Sequence, residues 1–154
     1  QAVNAWHAVD DRVMGGVSRS RLRHDPLGHA VFEGEVSLES SGGFASVRSQ
    51  SGDLGLAAAQ ACVIQVRGER KQFKLSLVAE EGFESLNYQA SFAPADAGWQ
   101  TLRLPLATFR ASFRGREVPG APLLPPARIR QVGLIIAAKQ AGSFALEIKR
   151  ISLE

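Results

Sequence analysis

The sequence predicts an all-β fold, and three observations carry the prediction. Apolar and polar residues alternate with a period of two through most of the chain, helical periodicity is almost absent, and glycine-rich polar breaks recur between short apolar runs. Strands joined by turns follow. With 154 residues, 45% of them hydrophobic and 21% charged, the chain is long enough for one full core and reads as one β-sandwich domain over residues 1–154.

The first segment holds Trp6, the adjacent acids Asp10 and Asp11, and the run Met14-Gly15-Gly16. A flexible thioether before two glycines suits a loop tip that packs into a partner, with Trp6 anchoring it; a tight turn at the domain edge is the plainer alternative. Arg19, Arg21 and Arg23 then alternate with Ser20 and Leu22. They share one face of an edge strand kept soluble by charge, or one that meets an acidic partner. In residues 31–38, Phe32, Val36 and Leu38 point inward while Glu33, Glu35 and Ser37 point to water. The turn through Ser40, Ser41, Gly42 and Gly43 leads into Phe44-Ala45-Ser46-Val47-Arg48, which predicts a hairpin between the two strands.

Further strands are predicted over residues 61–67, 72–78, 86–92, 100–104, 130–137 and 144–153. Phe73, Leu75 and Leu77 form one inner face, with Lys74 and Ser76 outside; Phe144, Leu146 and Ile148 form another, with Glu147 and Lys149 outside. The run Val132-Gly133-Leu134-Ile135-Ile136 is apolar on both faces and reads as a central, covered strand. Two segments break the alternation. Residues 51–60 read as a loop or helical turn, and residues 105–126, with Pro105, Pro119, Pro122, Pro125 and Pro126, as a long functional or mobile loop.

The polar punctuation has an order of its own. Met14-Gly15-Gly16, Gly42-Gly43-Phe44-Ala45-Ser46-Val47-Arg48, Tyr88-Gln89-Ala90-Ser91-Phe92, Phe113-Arg114-Gly115-Arg116 and Lys139-Gln140-Ala141-Gly142-Ser143-Phe144 together resemble the complex I intermediate-associated protein family, from Trp6 to Ile151. The resemblance implies a galactose-binding-like jelly roll and, in mitochondrial members, a role in assembling a respiratory protein complex. The chain departs from the pattern at Glu69-Arg70 and at Ala138, where Asp-Gly and Asp are expected.

Catalytic chemistry finds few nominees. His7, His24 and His29 make no close metal-binding pair, and the single Cys62 sits in an apolar run where it behaves as a small buried hydrophobe. No nucleophile elbow, phosphate loop or dinucleotide fingerprint occurs. Asp10 and Asp11 could contribute to a calcium site but lack visible co-ligands; capping a turn or pairing with Arg12 is the simpler role. The expectation is no enzyme, no metal and no cofactor. The net charge of +3, from 18 basic and 15 acidic residues, is too small and too dispersed for a nucleic-acid binder.

Binding is the remaining role. Arg48 and Gln89 are polar strand residues expected on the concave sheet face, either solvated, holding the fold through Asp11 or Glu69, or meeting a ligand. Together with Trp6, Asp11, Met14, Gly15, Gly16, Arg114 and Gln140 they make up the candidate partner- or ligand-binding set. The first reading is a protein-binding, assembly-factor-like domain. The second is a module for a carbohydrate or small polar ligand, with Trp6 and Trp99 as candidate stacking platforms, although Trp99, which opens the strand from Gln100, reads first as a core or sheet-edge residue. No apolar run is long enough for a membrane span and no leader opens the chain, so a bacterial cytoplasmic location is expected; the start at Gln1 leaves a processed or exported chain open.

Overall fold

The computed structural model describes residues 7–8, 19–36, 45–49, 52, 54–68, 71–79, 86–95, 98–113, 116–136, 140 and 142–154. Twelve strands are present among them: β1 His7–Ala8, β2 Arg19–His24, β3 Ala30–Val36, β4 Ala45–Arg48, β5 Ala61–Gly68, β6 Phe73–Ala79, β7 Asn87–Phe92, β8 Gln100–Pro105, β9 Arg110–Phe113, β10 Arg116–Glu117, β11 Ile129–Ile136 and β12 Gly142–Leu153. They form two antiparallel sheets. The seven-stranded sheet has the order β1-β4-β11-β6-β7-β9-β10, and the five-stranded sheet the order β2-β3-β12-β5-β8.

Alternation decides which side chains meet between the sheets. Cys62, Ile64 and Val66 of β5, Phe73, Leu75 and Leu77 of β6, and Phe144, Leu146 and Ile148 of β12 are all buried, as their period-two spacing requires. Phe32 lies 4.9 Å, ring to ring, from Phe144 and 6.3 Å from Phe73, both edge to face, while Phe92 stacks on Phe73 at 5.9 Å. These four rings tie both sheets together. Burial pushes the Cys62 thiol up to about 12, which makes it an inert core residue. In β12 the pairing with β5 shifts register between Ile148 and Arg150, and this bulge returns Ile151 and Leu153 to the core side.

Three expectations are corrected. β3 and β4 do not form a hairpin: β3 pairs with β2 and β12, while β4 pairs with β1 and β11 in the other sheet. Their apolar faces oppose each other across the core instead of lying side by side, and alternation alone does not distinguish the two arrangements. Residues 105–126 are partly regular, since β9 pairs with β7 and β10 pairs with β9. All five prolines lie outside those two strands, and Pro105 ends the edge strand β8. Ser76 does lie on the outer face but is only 2% exposed.

The charged strand β2 is an edge strand, as its alternating arginines predict. Arg21 and Arg23 reach Glu33 on β3 at 2.7 and 3.0 Å, and Ser20 Oγ donates to the Ser46 carbonyl at 3.1 Å, linking this edge to β4 of the opposite sheet.

Candidate functional site: the outer face of the seven-stranded sheet

Register sets a polar row across six strands. His7 faces Arg48, Arg48 faces Gly133, Gly133 faces Ser76, Ser76 faces Gln89, and Gln89 faces Arg110 as successive Cα partners. Because Val47, Leu134, Leu75, Leu77, Tyr88 and Ala111 on the flanking positions are buried in the core, the part of the row from Arg48 to Arg110 points away from it. The two residues singled out in the sequence, Arg48 and Gln89, therefore share one face. Three strand spacings separate them, roughly 14 Å.

Gly133 shapes the middle of the row. A Cβ there would meet the Val47 carbonyl oxygen at 3.2 Å, Arg48 Cγ at 3.4 Å and Ser76 Cβ at 3.6 Å, so the Arg48 stem lies against bare backbone. The guanidinium is half-buried. Desolvation holds it below the usual arginine range, and no carboxylate among the described residues pairs with it. Ser76 Oγ donates to Asn87 Oδ1 at 2.9 Å, fixing the centre of the face. At its far end Arg110 is paired with Glu117 at 3.2 Å. Neighbouring rows add Lys74, Ile135 and Ser91 on one side and Gln131, Val78 and Asn87 on the other.

Trp99 lies elsewhere. It precedes β8 on the outer side of the five-stranded sheet, with the Arg67 guanidinium 4.7 Å and the Lys149 ammonium 4.5 Å from its ring centre and His29 edge-on at 5.1 Å. Arg67 grips Glu147 through two hydrogen bonds of 2.9 and 2.8 Å, and these hold the Glu147 carboxyl below its usual range against the opposing effect of desolvation. His29 Nε2 stands 2.7 Å from Glu147 Oε1 without an aligned hydrogen bond. A ring already engaged by two cations is a structural hub, not an open platform for a sugar.

Gln140 has a fold-holding contact. Its side-chain amide accepts from the Gln72 backbone N–H and donates to the Gln72 carbonyl, both at 2.8 Å, clamping the approach to β6. Trp6, Asp10, Asp11, Met14, Gly15, Gly16, Glu69 and Arg114 lie outside the described residues. A largely apolar cleft of about 440 Å³ lies under the proline-rich segment and reaches Arg110 and Glu117 at the end of the row, with Leu106, Phe109, Val118 and Leu124 in its wall and the Tyr88 hydroxyl donating to the Pro122 carbonyl at 2.8 Å. No cluster of three metal-ligating side chains occurs among the described residues. None of their helices is long and apolar enough to cross a membrane.

Alternation located Arg48 and Gln89, but it could not find Gly133, Ser76 or Arg110. Their place in the row depends on which strands are neighbours.

Two packed antiparallel sheets in this arrangement define a jelly-roll β-sandwich. The fold is similar to a family 11 carbohydrate-binding module from a Clostridium thermocellum cellulosomal cellulase, with a TM-score of 0.71 and 14% identity over 99% of this chain and 89% of that one. It is also similar to a family 30 carbohydrate-binding module, with a TM-score of 0.62 and 12% identity over 90% of this chain and 92% of that one. At such identities the likeness concerns the fold alone.

Sequence places the chain more narrowly. It belongs to the complex I intermediate-associated protein 30 family, whose pattern it matches over residues 1–148. An uncharacterized protein of Schizosaccharomyces pombe is 27% identical over 95% of this chain and 78% of its own length. The mitochondrial complex I intermediate-associated protein 30 of Drosophila melanogaster is 23% identical over 99% of this chain, which spans 59% of that protein's length. That relative's mitochondrial name runs against the cytoplasmic expectation.

Proposed function

We propose that this chain is a non-catalytic binding domain that holds a partner protein, in the manner of an assembly factor, on the outer face of its seven-stranded sheet. The observation that carries the reading is the row from Arg48 across Gly133 and the buried Ser76 to Gln89 and Arg110, which sets polar side chains on either side of a small-residue centre on one face of the sheet. Such a row offers amide and guanidinium donors to an extended segment. Membership of a family named for association with complex I intermediates supports a protein as the occupant. The identity of the complex does not follow from it.

A carbohydrate is the second reading, favoured by the likeness to a family 11 module whose structure holds a mixed-linked tetrasaccharide. Sugar binding by sandwiches of this kind uses aromatic side chains as stacking surfaces, and no Trp, Tyr or Phe among the described residues lies on these rows. That favours the protein reading.

Co-purification from the native cell tests it. Arg48→Ala combined with Gln89→Ala is expected to lose a partner that wild type retains, while keeping the wild-type melting temperature. Met14→Asp probes the competing docking element at Met14-Gly15-Gly16, since it puts a charge into an apolar contact. If Met14→Asp alone abolishes capture and the double variant keeps it, the loop and not the sheet face is the docking element. A glycan that quenches tryptophan fluorescence and is lost with the double variant would favour the second reading.

A further inference from the structure

The proposed face carries positive charge that its own described residues leave unbalanced. On the five-stranded sheet, Arg21 and Arg23 share Glu33, Arg67 holds Glu147 and Arg103 holds Glu154 at 3.1 Å, while Lys149 and Arg150 pair with no carboxylate among the described residues but stand exposed, where water screens them. On the seven-stranded sheet Glu117 balances Arg110, but Arg48 and Lys74 have no carboxylate among the described residues. Arg48 is the telling one. Its stem packs against Gly133 and its guanidinium is half withdrawn from water, where a cation without a counter-charge is costly and an incoming anion gains most.

We propose that the segment bound on this face is an acidic stretch of polypeptide, with one of its carboxylates paired to the Arg48 guanidinium and its backbone or side-chain amides met by Gln89. The inference rests on the reading of this face as the binding surface. Charge complementarity selects an acid, and Ile135 and Val78, interleaved with the polar rows, suit the apolar side chains of a peptide. Lys74, one row away, contributes a second and more dispersed attraction.

The test uses the full chain, labelled with ¹⁵N, titrated with hexaglutamate, hexaglutamine and trigalacturonate. Hexaglutamate is expected to bind with a dissociation constant of about 1 mM or tighter and to shift the Gly133 amide, the Arg48 Nε–H and the Gln89 side-chain amide together. Arg48→Gln should weaken it about tenfold, Lys74→Gln less, and Arg103→Gln, which removes the same charge from the other sheet, not at all. If Arg48→Gln does not fold, Arg48→Lys serves: it keeps the charge, loses the two-pronged donor and should weaken binding severalfold. The proposal is overturned by absence of saturable shifts at these residues, by equal losses in Arg103→Gln and Arg48→Gln, or by trigalacturonate binding more tightly than hexaglutamate. A native partner that depends on Arg48 and Gln89 while hexaglutamate fails would leave the face standing and remove only its acidic occupant.

Discussion

At the scale of the residue, Gly133 and Glu147 each control a neighbouring guanidinium. A valine at Gly133 would press on the Val47 carbonyl and on Arg48 Cγ, so Gly133→Val is expected to cost about 1–3 kcal/mol in thermal melts and to swing Arg48 off the sheet. Partner capture should fall further than stability does. Gly133→Ala asks its neighbours for a few tenths of an ångström and should be much milder. Glu147→Gln frees Arg67 and leaves His29 without its nearer carboxylate. Because Arg67 is 39% exposed, solvent screening keeps the loss of stability small, and Trp99 emission should change as the cation above it loosens. Unchanged emission would mean that Arg67 does not depend on Glu147 for its position.

At the scale of the element, much of the sandwich was legible and its pairing was not. The inner faces of β6 and β12 could be read from alternation, as could the charged edge strand β2 and the central place of β11; the cover expected on both faces of β11 is corrected, since Gln131 and Ile135 lie half-exposed on the outer face of the sheet. The supposed hairpin between β3 and β4 failed because a period of two reports which side chains share a face and is silent about which strand lies alongside. The same silence hid the row through Gly133 and Ser76. Strands β9 and β10 escaped because prolines dominate the residues around them, and the bulge in β12 because two adjacent exposed residues, Lys149 and Arg150, carry no signature of a register shift. Phe32→Ala tests the contact between sheets: its ring is fully buried against Phe73 and Phe144, and the loss should be about 3–5 kcal/mol in denaturant unfolding. Gln140→Ala removes two hydrogen bonds to the Gln72 backbone and should cost about 1 kcal/mol with partner capture intact. Capture lost at unchanged stability would instead give Gln140 a binding role.

At the scale of the whole molecule, the fold is sensitive to acid. Glu147 is held below its usual range chiefly by its hydrogen bonds to Arg67; at Glu33 desolvation pushes upward, but the hydrogen bonds and charges of Arg21 and Arg23 together outweigh it and the value is lowered. With folded values below the unfolded one, about 4.3 for glutamate, these groups contribute stability that is complete above that pH and is lost as pH falls through the folded values. Denaturant midpoints should therefore hold steady from neutral pH to about 5 and fall below about 4, and Glu147→Gln should flatten part of that slope. A slope unchanged by the substitution would place the acid sensitivity elsewhere. The central claim is that one outer face, that of the seven-stranded sheet, meets the partner. Site-specific photo-crosslinking in the native cell tests it most directly, with benzoylphenylalanine at exposed Ser91 on that face or at exposed Thr101 on the outer side of the five-stranded sheet. The account predicts a discrete protein adduct from Ser91, lost when Arg48→Glu is added, and none from Thr101; an adduct from Thr101 alone, or one from Ser91 indifferent to Arg48→Glu, would contradict it.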